Sequence, residues 1–240
     1  MAERPSARFK ASSDGDRPSI ADDLPRDANG DSFVKRLAIS LTTIRNNDMN
    51  TQIDGVDYGP LAQLLGKWSG NIGLDIAPDA DANPDKSPFT NTLVFTTAGI
   101  TENAEEQILV AIKYHHVVIK IESGHIFHGQ IGHWLYEPET GNIMHSLTIP
   151  RGVCLLAGGT SETVDDKTIF DVKATAGSDS YGIVQSPFML EKAKTNAFQM
   201  KMEVKADELS YREVTSLHIY GKDFEHVDTS TLQRVTYEQD

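Results

Sequence analysis

From Gly66 to the C-terminus the chain is cut into short segments in which apolar and polar residues alternate. "NAFQMKMEVK" shows the pattern most cleanly: Phe198, Met200, Met202 and Val204 alternate with Gln199, Lys201, Glu203 and Lys205. Side chains of a β-strand point to opposite faces in turn, so a period of two predicts a strand with one face inward and one in water. "NTLVFTT", "ILVAIKYHHVVIKI", "HIFHGQIGHWLYEP", "NIMHSLTIP", "GVCLLAGG", "KTIFDVKA", "ELSYREVTSLHIYG" and "TLQRVTY" read in the same way. The breaks between them, such as "ESG", "EPETGN", "ATAGSDS" and "YGKD", are turn chemistry. Short strands joined by hairpin-length turns, with no helix between them, predict an all-β fold, either an antiparallel barrel or a sandwich.

The strand "HIFHGQIGHWLYEP" favours the barrel. One face carries Ile126, His128, Gln130, Gly132, Trp134 and Tyr136, and the other Phe127, Gly129, Ile131, His133 and Leu135. A sandwich asks for one dry face, whereas a barrel around a ligand cavity tolerates His, Gln, Trp and Tyr pointing inward. Buried histidines satisfied by their neighbours are the alternative. "PLAQLLGKWSGN" adds a local cue: an apolar helical turn from Leu61 to Leu65 leads through Gly66 to Trp68, which is expected to close the barrel floor.

The first part of the chain has another texture. Residues 1–30 are rich in Pro, Ser, Asp and Arg and read as a disordered or loosely attached arm. Within 31–58, Asp31 or Ser32 can cap a helix whose stripe is Phe33, Leu37, Leu41 and Ile44, followed by a linker. The barrel is expected over 59–237.

A net charge of −13 excludes a nucleic-acid partner, which needs clustered Lys and Arg, and excludes docking on anionic lipid. No segment reaches the roughly 18 apolar residues of a membrane span, so no membrane insertion is expected. No apolar stretch follows the basic residues at the N-terminus, and a cytoplasmic protein is the plain reading. The single cysteine, Cys154, allows neither an internal disulfide nor a thiolate zinc site and is expected to be a small buried hydrophobe. No nucleophile elbow is present, and "AGGTS" lacks the lysine of a phosphate loop.

Three stretches together resemble the nitrobindin family, haem-binding β-barrels of the calycin group related to fatty-acid-binding proteins. They are "PLAQLLGKWSGNIG", "FHGQIGHWLYEPETGNIMHSLTIPRGVCLLAGG" and "HVDTSTLQRV", and the likeness covers about residues 59–236. The resemblance implies a single antiparallel barrel of about ten strands and haem b held through a C-terminal histidine. It also implies ferric chemistry toward nitric oxide or peroxynitrite. His226 is the corresponding iron ligand. In the family pattern that histidine stands seven residues before the last Arg, while His226 stands eight before Arg234. One residue reverses a side chain in a regular strand, so a bulge within Val227–Ser230 is expected to absorb it. The segment "IPRG" also departs from the family pattern and marks a divergent subgroup.

Around His226, the candidate cavity residues are His128 and Gln130 on one wall, Trp134 further along it, Tyr114 and His116 on one face of "KYHHVVIK", and Tyr211. His115 and His116 face opposite sides, and His128 and His133 diverge, which disfavours a histidine-rich zinc site. Arg151 carries the second reading, a carrier of a fatty acid or other apolar carboxylate with a buried guanidinium as anchor; a rim ion pair is its bland alternative. The partner expected is a small apolar ligand, and a homodimer is an assembly open to such a barrel.

Overall fold

The computed structural model describes residues 50–236. The N-terminal arm, the helix expected near 33–45 and Tyr237 lie outside the described residues. A two-stranded ribbon, β1 (Gln52–Ile53) and β2 (Val56–Asp57), comes first, followed by a 3₁₀ helix over Gly59–Leu64. The remaining strands are β3 (Gly66–Pro78), β4 (Pro84–Asn103), β5 (Gln107–Lys120), β6 (Ile126–Tyr136), β7 (Asn142–Ile149) and β8 (Val153–Val164). After them come β9 (Lys167–Ala176), β10 (Gly182–Gln185), β11 (Ala193–Lys205), β12 (Glu208–Ile219) and β13 (Lys222–Arg234).

These strands close into a barrel. Each pairs antiparallel with the next from β3 to β9, β9 pairs with β11, and β13 returns to β3. About ten antiparallel strands were expected, and the ring differs in one detail. Toward one end, β8 and β9 part, and the short β10 fills the gap, antiparallel to β8 and parallel to β9. Eleven strands therefore share the ring. A six-residue helix, Pro187–Lys192, also stands between β10 and β11, where none was expected. Ser186 caps it by accepting a hydrogen bond from the Met189 N–H, and Pro187 takes a first-turn position that needs no donor.

The alternation read from the sequence is the alternation of burial. On β11, Phe198, Met200, Met202 and Val204 are buried, while Lys201 and Lys205 face water. Cys154 corrects an expectation: it is exposed, between the buried Val153 and Leu155. The run "GVCLLAGG" is apolar on both faces, so the pattern gave no sign of which half points inward.

One end of the barrel is sealed. Leu61, Leu64 and Trp68 are fully buried, and the Trp68 Nε1–H donates to the Leu64 carbonyl at 2.7 Å. Arg234 locks this floor. Its guanidinium lies 4.0 Å from the Trp68 ring centre and donates to the carbonyls of Gln63 and Leu65 and to Asp207. Trp68 thus closes the floor as the sequence suggested.

The expected bulge in Val227–Ser230 is not there. β13 pairs with β12 without a break from Lys222 to Gln233. The irregularity lies in β3, where Gly70–Gly73 contains one residue more than either neighbouring strand accommodates. Gly73 makes this geometry possible, because the Phe89 ring fills the space a β-carbon would need. With β13 regular, His226 shares its face with Asp228, Ser230 and Leu232 and points inward.

Candidate ligand site at the barrel mouth

Burial falls away along that inner face of β13. Leu232 is fully buried and Ser230 nearly so, while the side chains of Asp228 and His226 are 21% and 27% exposed. This end is the mouth, opposite the Trp68 floor.

Between floor and mouth the interior is filled by side chains. Leu93, Phe95, Tyr114, His116, Gln130, Trp134, His145, Met200, Met202 and Tyr211 enclose a cavity of only about 10 Å³. That is room for about one water. His145 is fully buried, stacked 4.3 Å from Trp134 and hydrogen-bonded through Nε2 to the Tyr114 hydroxyl at 2.9 Å, and its Nδ1 finds no protein partner. A second polar group sits nearer the mouth. Asn91 Nδ2 donates to His116 Nε2 at 3.0 Å and to the Tyr211 hydroxyl at 3.1 Å, and the Ser230 hydroxyl donates to Asn91 Oδ1 at 3.0 Å. Burial disfavours charge here: both His116 and His145 are pushed down to about 3, and the phenols of Tyr114 and Tyr211 are pushed well up. The deep interior is neutral.

The mouth is different. Asp75 on β3 stands directly opposite Asp228 on β13, and Asp228 stands directly opposite Glu213 on β12. Three carboxyl groups therefore form one row across three neighbouring strands. The His226 Nε2–H donates to Asp75 Oδ1 at 2.6 Å and lies 3.4 Å from Asp228 Oδ2. Burial opposes a charge on His226, but its hydrogen bond to Asp75 and the nearby Asp228 raise its pKa overall. One imidazolium can neutralise one carboxylate, and Asp75 holds it. The surplus acids keep protons instead: burial, then Asp228, pushes Glu213 up to about 8, and burial, then Asp75, pushes Asp228 up to about 7. Among the described residues, no Lys or Arg forms an ion pair with any of the three.

The sequence-predicted residues fall into two groups. Tyr114, His116, Gln130, Trp134 and Tyr211 line the small interior cavity. His226 and His128 stand at the mouth, and His128 Nε2 lies 3.2 Å from Gln130 Oε1. Arg151 joins neither group. It is exposed and donates to the Phe127 carbonyl at 2.9 Å, so the buried anchor expected of it is absent. Sequence reasoning missed Asp75, Asp228, Glu213 and Asn91. The Gly70–Gly73 pair inside a strand pattern was the one available sign of the β3 bulge.

Residues 57–234 match the profile described as the THAP4-like, heme-binding beta-barrel domain. The chain belongs to that family. Among solved structures, the family member resembles the crystal structure of Rv2717c from M. tuberculosis, with a TM-score of 0.56 and 19% identity. The match covers 73% of this chain and 95% of that one, and at this identity it speaks for the fold alone. No curated protein matches the sequence.

Proposed function

We infer that this barrel binds haem at its mouth, with His226 as the iron ligand. The observation that carries the reading is the inward-facing imidazole at the open end of a haem-binding-family barrel. The fit is limited to that end. An enclosed space of about 10 Å³ cannot take a porphyrin, so the macrocycle belongs at the mouth, above the layer of His116, Asn91 and Tyr211. There the chain offers an imidazole, His128 on the facing wall, and an outer rim on which Arg151 can meet an acid group.

A haem ligand needs a neutral imidazole. In this chain the nitrogen already bonded is Nε2, and His226 would have to give up its Asp75 hydrogen bond to hold haem iron through it. Asp75 and Asp228 therefore compete with iron for His226. When bound, ferric b-type haem would supply the chemistry toward nitric oxide or peroxynitrite that the resemblance implies. The chain's own residues would hold the group, keep the deep interior neutral and exclude water from the floor side. The carrier reading has no support of this kind, since Arg151 is not buried.

Titration with hemin tests the reading. A Soret shift is expected in the wild type, lost in His226→Ala and strengthened in Asp75→Asn. A shift that survives His226→Ala unchanged would sink the assignment of the ligand.

A further inference from the structure

The family reading does not account for the row of acids. Like charges directly opposite on adjacent strands destabilise a sheet, and this barrel places three carboxyl groups in succession on its inner face. Glu213 is 9% exposed and sits beside Asp228; among the described residues no Lys or Arg forms an ion pair with it, and the nearby imidazole, His226, is already hydrogen-bonded to Asp75. Local rules are broken most often where a site is built.

The donor geometry identifies what would relieve the arrangement. His226 Nε2, a carboxylate oxygen of Asp75 and one of Asp228 all lie within 4.8 Å of one another. The two measured contacts to the imidazole nitrogen are 2.6 Å and 3.4 Å. An ion held tetrahedrally at about 2.0–2.2 Å by nitrogen and oxygen has neighbouring ligand atoms roughly 3.4 Å apart. The His226–Asp228 contact is at that spacing, and the His226–Asp75 hydrogen bond would open by roughly 1 Å or less as an ion replaced its proton. The geometry points to a divalent-cation site at the barrel mouth formed by Asp75, His226 and Asp228, with Glu213 beside it as a third carboxylate.

The donor set selects the class of ion. Hard cations such as calcium and magnesium take oxygen ligands, whereas one imidazole with two carboxylates suits a borderline ion of the zinc type. Three protein ligands at a partly exposed end leave a coordination position toward solvent, the arrangement of a reactive rather than a purely structural ion. Replacing the shared proton, the ion would bring positive charge to the middle of the acidic row. It would also occupy the nitrogen that haem requires. The two occupants are mutually exclusive at His226, and the cation site stands whether or not haem binds.

The test uses the full chain, stripped of metal with a chelator. Zinc is titrated by calorimetry, and cobalt, whose visible d–d absorption reports coordination, is titrated separately. One equivalent is expected to bind, with affinity reduced by more than about tenfold in Asp75→Asn, Asp228→Asn and His226→Ala. Asp228→Asn keeps the shape of the side chain and relieves the crowding of acids, so a thermal shift on adding zinc, present in the wild type and absent in this variant, is a second readout. Absence of binding at micromolar zinc overturns the proposal, as does binding that all three variants retain. Hemin is titrated in parallel. Hemin uptake without zinc uptake leaves the haem reading standing and removes this one. Zinc uptake without hemin uptake does the reverse. Where both bind, preloaded zinc must weaken hemin binding, and independent binding would overturn the shared site.

Discussion

Two fully buried histidines make this fold sensitive to acid. His116 and His145 are held near a pKa of about 3, against an ordinary value of 6.5, because burial opposes their charge. Unfolded, each takes up a proton as pH falls through 6.5; folded, each resists until about 3. A depressed histidine thus contributes stability that is full above 6.5 and lost as pH drops. Two such groups give a slope of up to roughly 2.7 kcal/mol per pH unit. Glu213 and Asp228, whose pKa values are raised, oppose this slope over the same range, so the histidine contribution is read as a difference. In urea denaturation between pH 7 and pH 4, His145→Gln should change the pH slope by up to roughly 1.4 kcal/mol per pH unit relative to the wild type, whatever it does to absolute stability. An unchanged slope would mean that His145 is protonated in the native state. At this scale the sequence was partly legible. The alternation of "KYHHVVIK" placed Tyr114 and His116 on one face, and the structure buries both. It could not show that Asn91 and Tyr211 meet His116, because those residues come from β4 and β12 and meet only through the closed ring.

Among the elements, β3 departs furthest from regular geometry. The extra residue in Gly70–Gly73 shifts its register against both neighbours, and Asp75 reaches its place opposite Asp228 beyond that shift. Gly73→Ala would set a β-carbon 2.1 Å from an atom of the buried Phe89 ring. Neither side can yield, so a loss of at least about 3 kcal/mol is expected by chemical denaturation. Ile72, 78% exposed on the bulge itself, should tolerate alanine to within about 0.5 kcal/mol. Strand existence was readable from period and turn residues alone. The bulge was expected on β13, because the comparison there was made within one strand. Register belongs to a pair of strands, and β3 and β13 are separated by most of the barrel sequence.

On the scale of the whole molecule, one latch joins the first and last strands of the ring at the floor. Arg234, at the end of β13, stacks on Trp68 of β3 and donates to the carbonyls of Gln63 and Leu65, just before that strand, and of Ala206, in the turn between β11 and β12. Removing the side chain leaves those carbonyls without their charged donor, so Arg234→Ala should cost about 2–4 kcal/mol in denaturant melts. Lysine should rescue little, since it has no planar fork to reach several carbonyls while lying flat on an indole. A full rescue by Arg234→Lys would reduce the latch to its charge. The all-β class and the Trp68 floor were visible beforehand because both follow from local pattern. The acidic row was not, because Asp75, Glu213 and Asp228 belong to segments that look like ordinary polar strand faces when read singly.

The pairing of β13 with β3 also sets an order of events. Residues 227–234 must find residues 68–76 across the longest loop in the barrel, and closing such a loop is entropically late. β13 follows every other strand of the ring in the chain, so until it has been made the nascent barrel is an open sheet with β3 and β12 as bare edges. Asp75 lies on one lip of that seam, and His226 and Asp228 lie on the other. The mouth site therefore does not exist in any chain that lacks β13. Its formation coincides with the disappearance of the last free edge, so ligand capture can serve as a reporter that ring closure has finished.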